Sequence, residues 1–101
     1  MIRFTDDTKN PDQIGIAALG FLGQHEDLLN RFLDLSGLVV GQLRDEASKP
    51  AFFVALLDFI LANEPDLLDF AGSIEADPRL VGVARNKLAE KAGIPGEDFP
   101  S

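Results

Sequence analysis

Apolar residues recur along this chain at the three-and-four spacing of an α-helix, and no stretch alternates apolar and polar residues for long enough to make a half-buried strand. The segment from Pro11 to Gly23 gathers Ile14, Ala17, Ala18, Phe21 and Leu22 on one face, and Glu26 to Leu35 gathers Leu28, Leu29, Phe32 and Leu33 while turning Arg31 and Asp34 outward. A short turn or helix over Val40 to Ala47 sends Leu43 inward and Arg44, Asp45 and Glu46 to water. Pro50 to Ala62 is the most apolar segment, with Phe52, Phe53, Leu56, Leu57, Phe59 and Ile60 against one charge, Asp58, which marks it as the central helix. Pro65 to Ser73 offers Leu67, Phe70 and Ala71, with Ile74 continuing the stripe, and Pro78 to about Lys91 offers Leu80, Val81, Ala84 and Leu88. The pattern predicts an all-α fold, a compact bundle of five or six short helices whose core holds Phe21, Phe32, Phe52, Leu56, Phe59 and Phe70.

The punctuation agrees with the periodicity. Proline suits the first turn of a helix, where its missing N–H would have no partner. Asn10-Pro11-Asp12 reads as cap, first residue and acidic first turn, and Asp77-Pro78 repeats the arrangement. Asn63 before Glu64-Pro65-Asp66, and Ser48-Lys49-Pro50, are weaker versions. Ser36-Gly37 and Ala92-Gly93 put glycine where a helix ends in a left-handed residue.

An echo runs through the chain. Phe21-Leu22-Gly23-Gln24-His25-Glu26-Asp27-Leu28-Leu29 followed by Phe32 resembles Phe59-Ile60-Leu61-Ala62-Asn63-Glu64-Pro65-Asp66-Leu67-Leu68 followed by Phe70. Two related helical hairpins plus a C-terminal helix would produce it, and so would the shared grammar of any two helix pairs with acidic starts. Two copies are too few for a solenoid.

With the hairpins written out, the chain resembles a small alphaproteobacterial family of unknown function, domain-of-unknown-function family 3572. The residues that carry the resemblance are Ala18-Leu19-Gly20-Phe21-Leu22, Asp27-Leu28-Leu29-Asn30-Arg31-Phe32-Leu33-Asp34-Leu35-Ser36-Gly37-Leu38, and Phe53 through Leu57-Asp58-Phe59 to Asn63-Glu64. The resemblance implies a helical fold in a bacterial cytoplasmic setting and brings no activity, so no functional residue carries over.

Composition narrows the function classes. At 101 residues the chain fits one domain, with residues 11–92 as its ordered core and ends that lack a helical stripe, although Phe4 and Phe99 are candidates to dock. Hydrophobic residues make up 46%, enough to fold, and the net charge of -8 repels nucleic-acid phosphates and anionic membranes. The run from Ile14 to Gly23 follows acids rather than a basic leader and is half a membrane span, so a soluble cytoplasmic protein is expected. Without cysteine there is no disulfide, thiolate nucleophile or cysteine-ligated metal.

Candidate chemistry is sparse. His25 is the single histidine, and its neighbours Glu26 and Asp27 point elsewhere on a helix, so it reads as an exposed turn residue rather than a metal ligand or catalytic base. Between Pro50 and Pro78 six acids stand without a Lys or Arg, a solvated surface or a dock for a basic partner. The last helix reverses the sign, and Arg79, Lys87 and Lys91 are the candidate contacts of an alternative reading, a small nucleic-acid-associated regulator. All eight aromatics are Phe, the core aromatic, and no phosphate loop or nucleophile elbow is present. The expectation is a non-enzymatic protein that acts through protein contacts, with no catalytic residue, cofactor, metal or small-molecule ligand.

The first helix is the oddity. From Gln13 to Gln24 it carries no formal charge, and its outer flank shows Gly15, Ile16, Gly20 and Gly23. Interior glycines cost up to about 1 kcal/mol each relative to alanine. Either the flank is buried against a close-approaching neighbour, or it is an exposed surface for self-association or a protein partner.

Overall fold

A computed structural model describes residues 10–94, so Phe4 and Phe99 lie outside the described residues. Among the described residues six α-helices and one 3₁₀ turn follow in order: α1 (Pro11–Gly23), α2 (Glu26–Ser36), the 3₁₀ turn (Val40–Gln42), α3 (Leu43–Glu46), α4 (Pro50–Leu61), α5 (Glu64–Ser73) and α6 (Pro78–Ala92). No strand is present among the described residues, and the all-α class holds.

The ends form for the reasons the sequence states. Asn10 Oδ1 accepts from the Gln13 N–H at 2.9 Å, Asn63 Oδ1 from the Asp66 N–H at 3.2 Å and Asp77 Oδ1 from the Arg79 N–H at 2.9 Å, each satisfying one orphan donor of a first turn. Pro11, Pro50, Pro65 and Pro78 all occupy first or second helical positions. Ser48 does not cap α4: Lys49 holds that position, and Ser48 Oγ donates back to the Asp45 carbonyl. Gly37 and Gly93 close α2 and α6 with φ of 78° and 75°.

Helix α4 is central, packed on α6 most extensively and also on α1, α5 and α2, while α1 packs on α6 as well. The core contains Phe21, Phe32, Phe52, Leu56 and Phe70, as expected, with Leu22, Leu57, Ile60, Val81 and Leu88 fully buried beside them. Two assignments change. Phe59 is only half-buried, and Leu80 is exposed. In α6 the buried line runs through Val81, Ala84, Leu88 and Ala89, which places Leu80 a hundred degrees of helix rotation off its centre.

The echo is a structural repeat. A constant offset of 38 positions takes Phe21 to Phe59, Phe32 to Phe70, the helix start Glu26 to Glu64, and Val40 to Pro78. The same offset takes Gly37 to Glu75, the one non-glycine residue with positive φ among the described residues, at 55°. Phe21 packs on Phe70 with ring centroids 5.4 Å apart and planes at 59°, and Phe32 packs on Phe59 at 5.6 Å and 60°. Each contact becomes the other when the two units are exchanged, the reciprocity of a two-fold relation rather than of a solenoid. Gly15 and Phe53, which map to one another, touch where the units meet: a Cβ on Gly15 would lie 2.8 Å from Phe53 Cδ1. Thus α1, α2 and the 3₁₀–α3 segment form one unit, and α4, α5 and α6 form the other. The Asp-Leu-Leu match read from the sequence is one residue out of this register, which pairs Leu29 with Leu67.

Candidate functional site

The flank of α1 divides. Gly15 is buried, and the close approach that requires it comes from the Phe53 side chain rather than from a backbone. Ile16, Gly20 and Gly23 are exposed, and a Cβ on either of those two glycines would meet nothing within 4 Å. Burial therefore accounts for one of the four flank residues. Gly20 and Gly23 weaken their helix without serving any packing contact, and each lines a surface crevice.

The crevice beside Gly23 is apolar. It measures about 420 Å³ and is lined by Leu19 and Gly23 of α1, Leu29 of α2, Leu43 of α3, and Arg44 and Ala47. A second, of about 360 Å³, shares Ala47 and continues along α1 past Ile16 to Pro50 and Phe53. Leu35, Val39 and Val40 are exposed as well, and Leu35 lines a separate crevice of about 320 Å³ between α2 and α4, with Phe32, Ala55, Asp58 and Phe59. The segment joining α2 to α4 is lightly held. Val39 supplies no side-chain cap, the Gln42 side chain accepts from the Val39 N–H at 2.9 Å, and only Leu38, Leu43 and Ala47 rest half-buried on the core.

The crevice beside Gly20 is polar, about 480 Å³, between α1 and α5, and is lined by Ala17, Gly20, Phe21, Gln24, His25, Asp69 and Ser73. His25 is exposed, as its sequence suggests, but it is not idle. Its Nδ1 lies 2.7 Å from the Phe21 carbonyl, which requires the proton on Nδ1, and its ring lies 4.3 Å from that of Phe21. Ser73 Oγ likewise donates to the Phe70 carbonyl at 2.7 Å. Both groups are turned to helix carbonyls, and among the described residues no hydrogen bond joins either of them to Asp69. Among the described residues no group of three or more His, Asp or Glu could hold a metal.

The basic helix is largely paired within the molecule. Arg85 grips Asp58 of α4 with two hydrogen bonds, at 2.7 and 3.2 Å, and Lys91 reaches both oxygens of Asp12 on α1 at 3.0 Å. Arg79 binds Asp77 at 2.7 and 3.1 Å. That side-chain bond, then the Arg79 N–H and the guanidinium charge, hold the Asp77 carboxyl down at about 2. Of the three proposed nucleic-acid contacts only Lys87 makes no hydrogen bond or ion pair among the described residues.

Fold and surface together define a helical protein of two reciprocally packed units, the first of which leaves its exposed apolar side chains, Ile16, Leu35, Val39 and Val40, further in the open than the second leaves Leu68, Leu80 and Val83. The chain belongs to the family described as protein of unknown function (DUF3572), whose model matches residues 8–91. No curated protein and no solved structure matches it. No helix among the described residues is long and apolar enough to cross a membrane.

Proposed function

We propose that this protein is a non-enzymatic binding module that engages a partner protein through the apolar face of its first unit. The observation that carries the reading is the apolar crevice of the first unit, walled by Leu19, Leu29 and Leu43, in a unit whose Ile16, Val39 and Val40 also stand in water. Contiguous exposed apolar surface on a small protein is where partners most often sit. The competing nucleic-acid reading depends on α6, whose cations Arg79, Arg85 and Lys91 already have carboxylate partners. Ion pairs of this kind offset the positive field that phosphate binding uses.

Affinity capture from the native cell with three baits tests the proposal. The natural protein and a Lys87→Glu variant should retain the same partner, and a Val39→Lys, Val40→Lys double variant should lose it while keeping its helical circular dichroism. Loss with Lys87→Glu instead, together with duplex binding at low salt, would transfer the function to α6. Retention by all three baits would remove the first-unit face from consideration. Gel filtration of the pure protein distinguishes a second copy from a different partner.

A further inference from the structure

We infer that the first unit carries a seat for a helix, closed in the free protein by only one turn, and that the occupant is a basic amphipathic helix of a partner protein resembling the chain's own α6. The inference rests on the first-unit reading above and names the partner's chemistry.

In the second unit α6 packs on α4 more extensively than any other helix does, and on α4 Val54 and Leu57 are buried and Leu61 half-buried at the spacing of one stripe, beside Asp58, which Arg85 of α6 grips. The two-fold offset carries those positions to Ile16, Leu19 and Gly23 of α1. Val54 is 4% exposed and Ile16 is 62% exposed, so one stripe has its helix and the other does not. What stands over the first stripe is α3, four residues long against fifteen for α6, because the chain must turn at Lys49-Pro50 to begin α4. Leu43, the counterpart of the fully buried Val81, is only half-buried, and the apolar crevice lies between it and Leu19. A short helix is a weak competitor, since isolated helices of a few turns are marginal in water. A longer helix would displace α3 and bury the stripe.

The occupant's sequence is written in α6. Its buried side chains are small and aliphatic at helical spacing, Val81, Ala84 and Leu88, and its outer surface is basic. A basic helix also suits the first unit, whose residues 11–48 hold six acids against Arg31 and Arg44, the latter being the one charge that lines the crevice. One element of the second unit is missing from the first: Asp58, which holds Arg85, has Gly20 as its counterpart. The natural partner therefore needs no arginine at that register.

The probe is a labelled peptide of residues 77–93 of this chain, added to the full-length protein and followed by fluorescence anisotropy. Saturable binding is expected. Gly23→Arg, whose added side chain starts in open space, should stay folded and weaken binding at least about tenfold by filling the seat. Gly20→Asp should strengthen binding about threefold by restoring the missing carboxylate, and an Arg85→Gln peptide should lose that gain. Absence of saturable binding overturns the inference. So does binding indifferent to Gly23→Arg, which would mean that the peptide exchanges with α6 in its own seat. If the peptide fails while the Val39→Lys, Val40→Lys bait still loses the cellular partner, the seat is wrong and the binding-module reading stands. If neither experiment responds to first-unit substitutions, both fall.

Discussion

Residues 49–86 and residues 11–48 repeat one plan with different endings. In the later unit the third helix runs fifteen residues to Ala92, buries Val81, Ala84 and Leu88 against α4, and ties itself down with the Arg85–Asp58 and Lys91–Asp12 pairs. In the earlier unit the third helix is four residues long, no ion pair fastens it to another helix among the described residues, and Ile16 and Leu19 remain uncovered or half-covered. The first two helices of each unit are closely alike, down to the reciprocal Phe21–Phe70 and Phe32–Phe59 contacts. Burial is thus deeper where the plan is complete, and the most exposed apolar residues, Leu35, Val40, Ile16 and Val39, fall where it is cut short. Low local burial is the physical form that a binding surface takes in a small domain.

Substitution at matched positions breaks or sharpens this comparison. The largest effect is expected from Leu57→Ala, which removes a fully buried side chain and should cost about 2 to 5 kcal/mol in urea unfolding, whereas Leu19→Ala at the matched position should cost under about 1.5 kcal/mol. Equal costs would mean that the first unit is as well filled as the second. Next is Gly15→Ala, where the new methyl meets Phe53 Cδ1 at 2.8 Å and Cγ at 2.9 Å and should destabilise by about 1 to 3 kcal/mol. Gly20→Ala, in open space, should instead stabilise by up to about 1 kcal/mol.

The helix ends after α2 and α5 give a smaller contrast. Both use a left-handed residue, glycine at 37 and glutamate at 75, and Ala76 N–H closes the second at 2.9 Å from the Ala71 carbonyl. Glu75→Gly should raise stability by roughly 0.5 kcal/mol, and Gly37→Ala should lower it by about 1 kcal/mol, both readable as shifts in thermal midpoint. The Asp77 cap has no acidic counterpart, since the first unit has Val39 there. Its carboxyl is held at about 2 against an ordinary 3.8, so its contribution is present above about pH 4 and is lost as the pH falls toward 2. Asp77→Asn should flatten the acid limb of the stability profile in that window, and Val39→Asn should leave it unchanged.

Much of this was legible before any coordinates. Proline with an asparagine or aspartate cap placed the starts of α1, α5 and α6, glycine placed the ends of α2 and α6, and the Phe and Leu stripes named most of the core. Three things were not. The third member of the repeat was hidden because Val40–Glu46 and Pro78–Ala84 share only an aliphatic residue at positions 43 and 81, so the similarity lies in place and not in side chain. The glycines of α1 look alike in sequence, yet Gly15 answers to Phe53, thirty-eight residues away, and Gly20 and Gly23 answer to nothing. Leu80 fits the apolar period of its helix and is exposed, because Val81 and Ala89 set the buried line.

The most direct test of the unequal seats is a backbone-amide NMR map of the full-length protein as the peptide of residues 77–93 is added. The expected result is a continuous footprint on Ile16, Leu19, Gly23 and Leu29, with the amides of Leu43–Glu46 shifting as α3 is displaced and those of α6 unmoved. A footprint on α4 and α6, with α1 silent, would contradict the account.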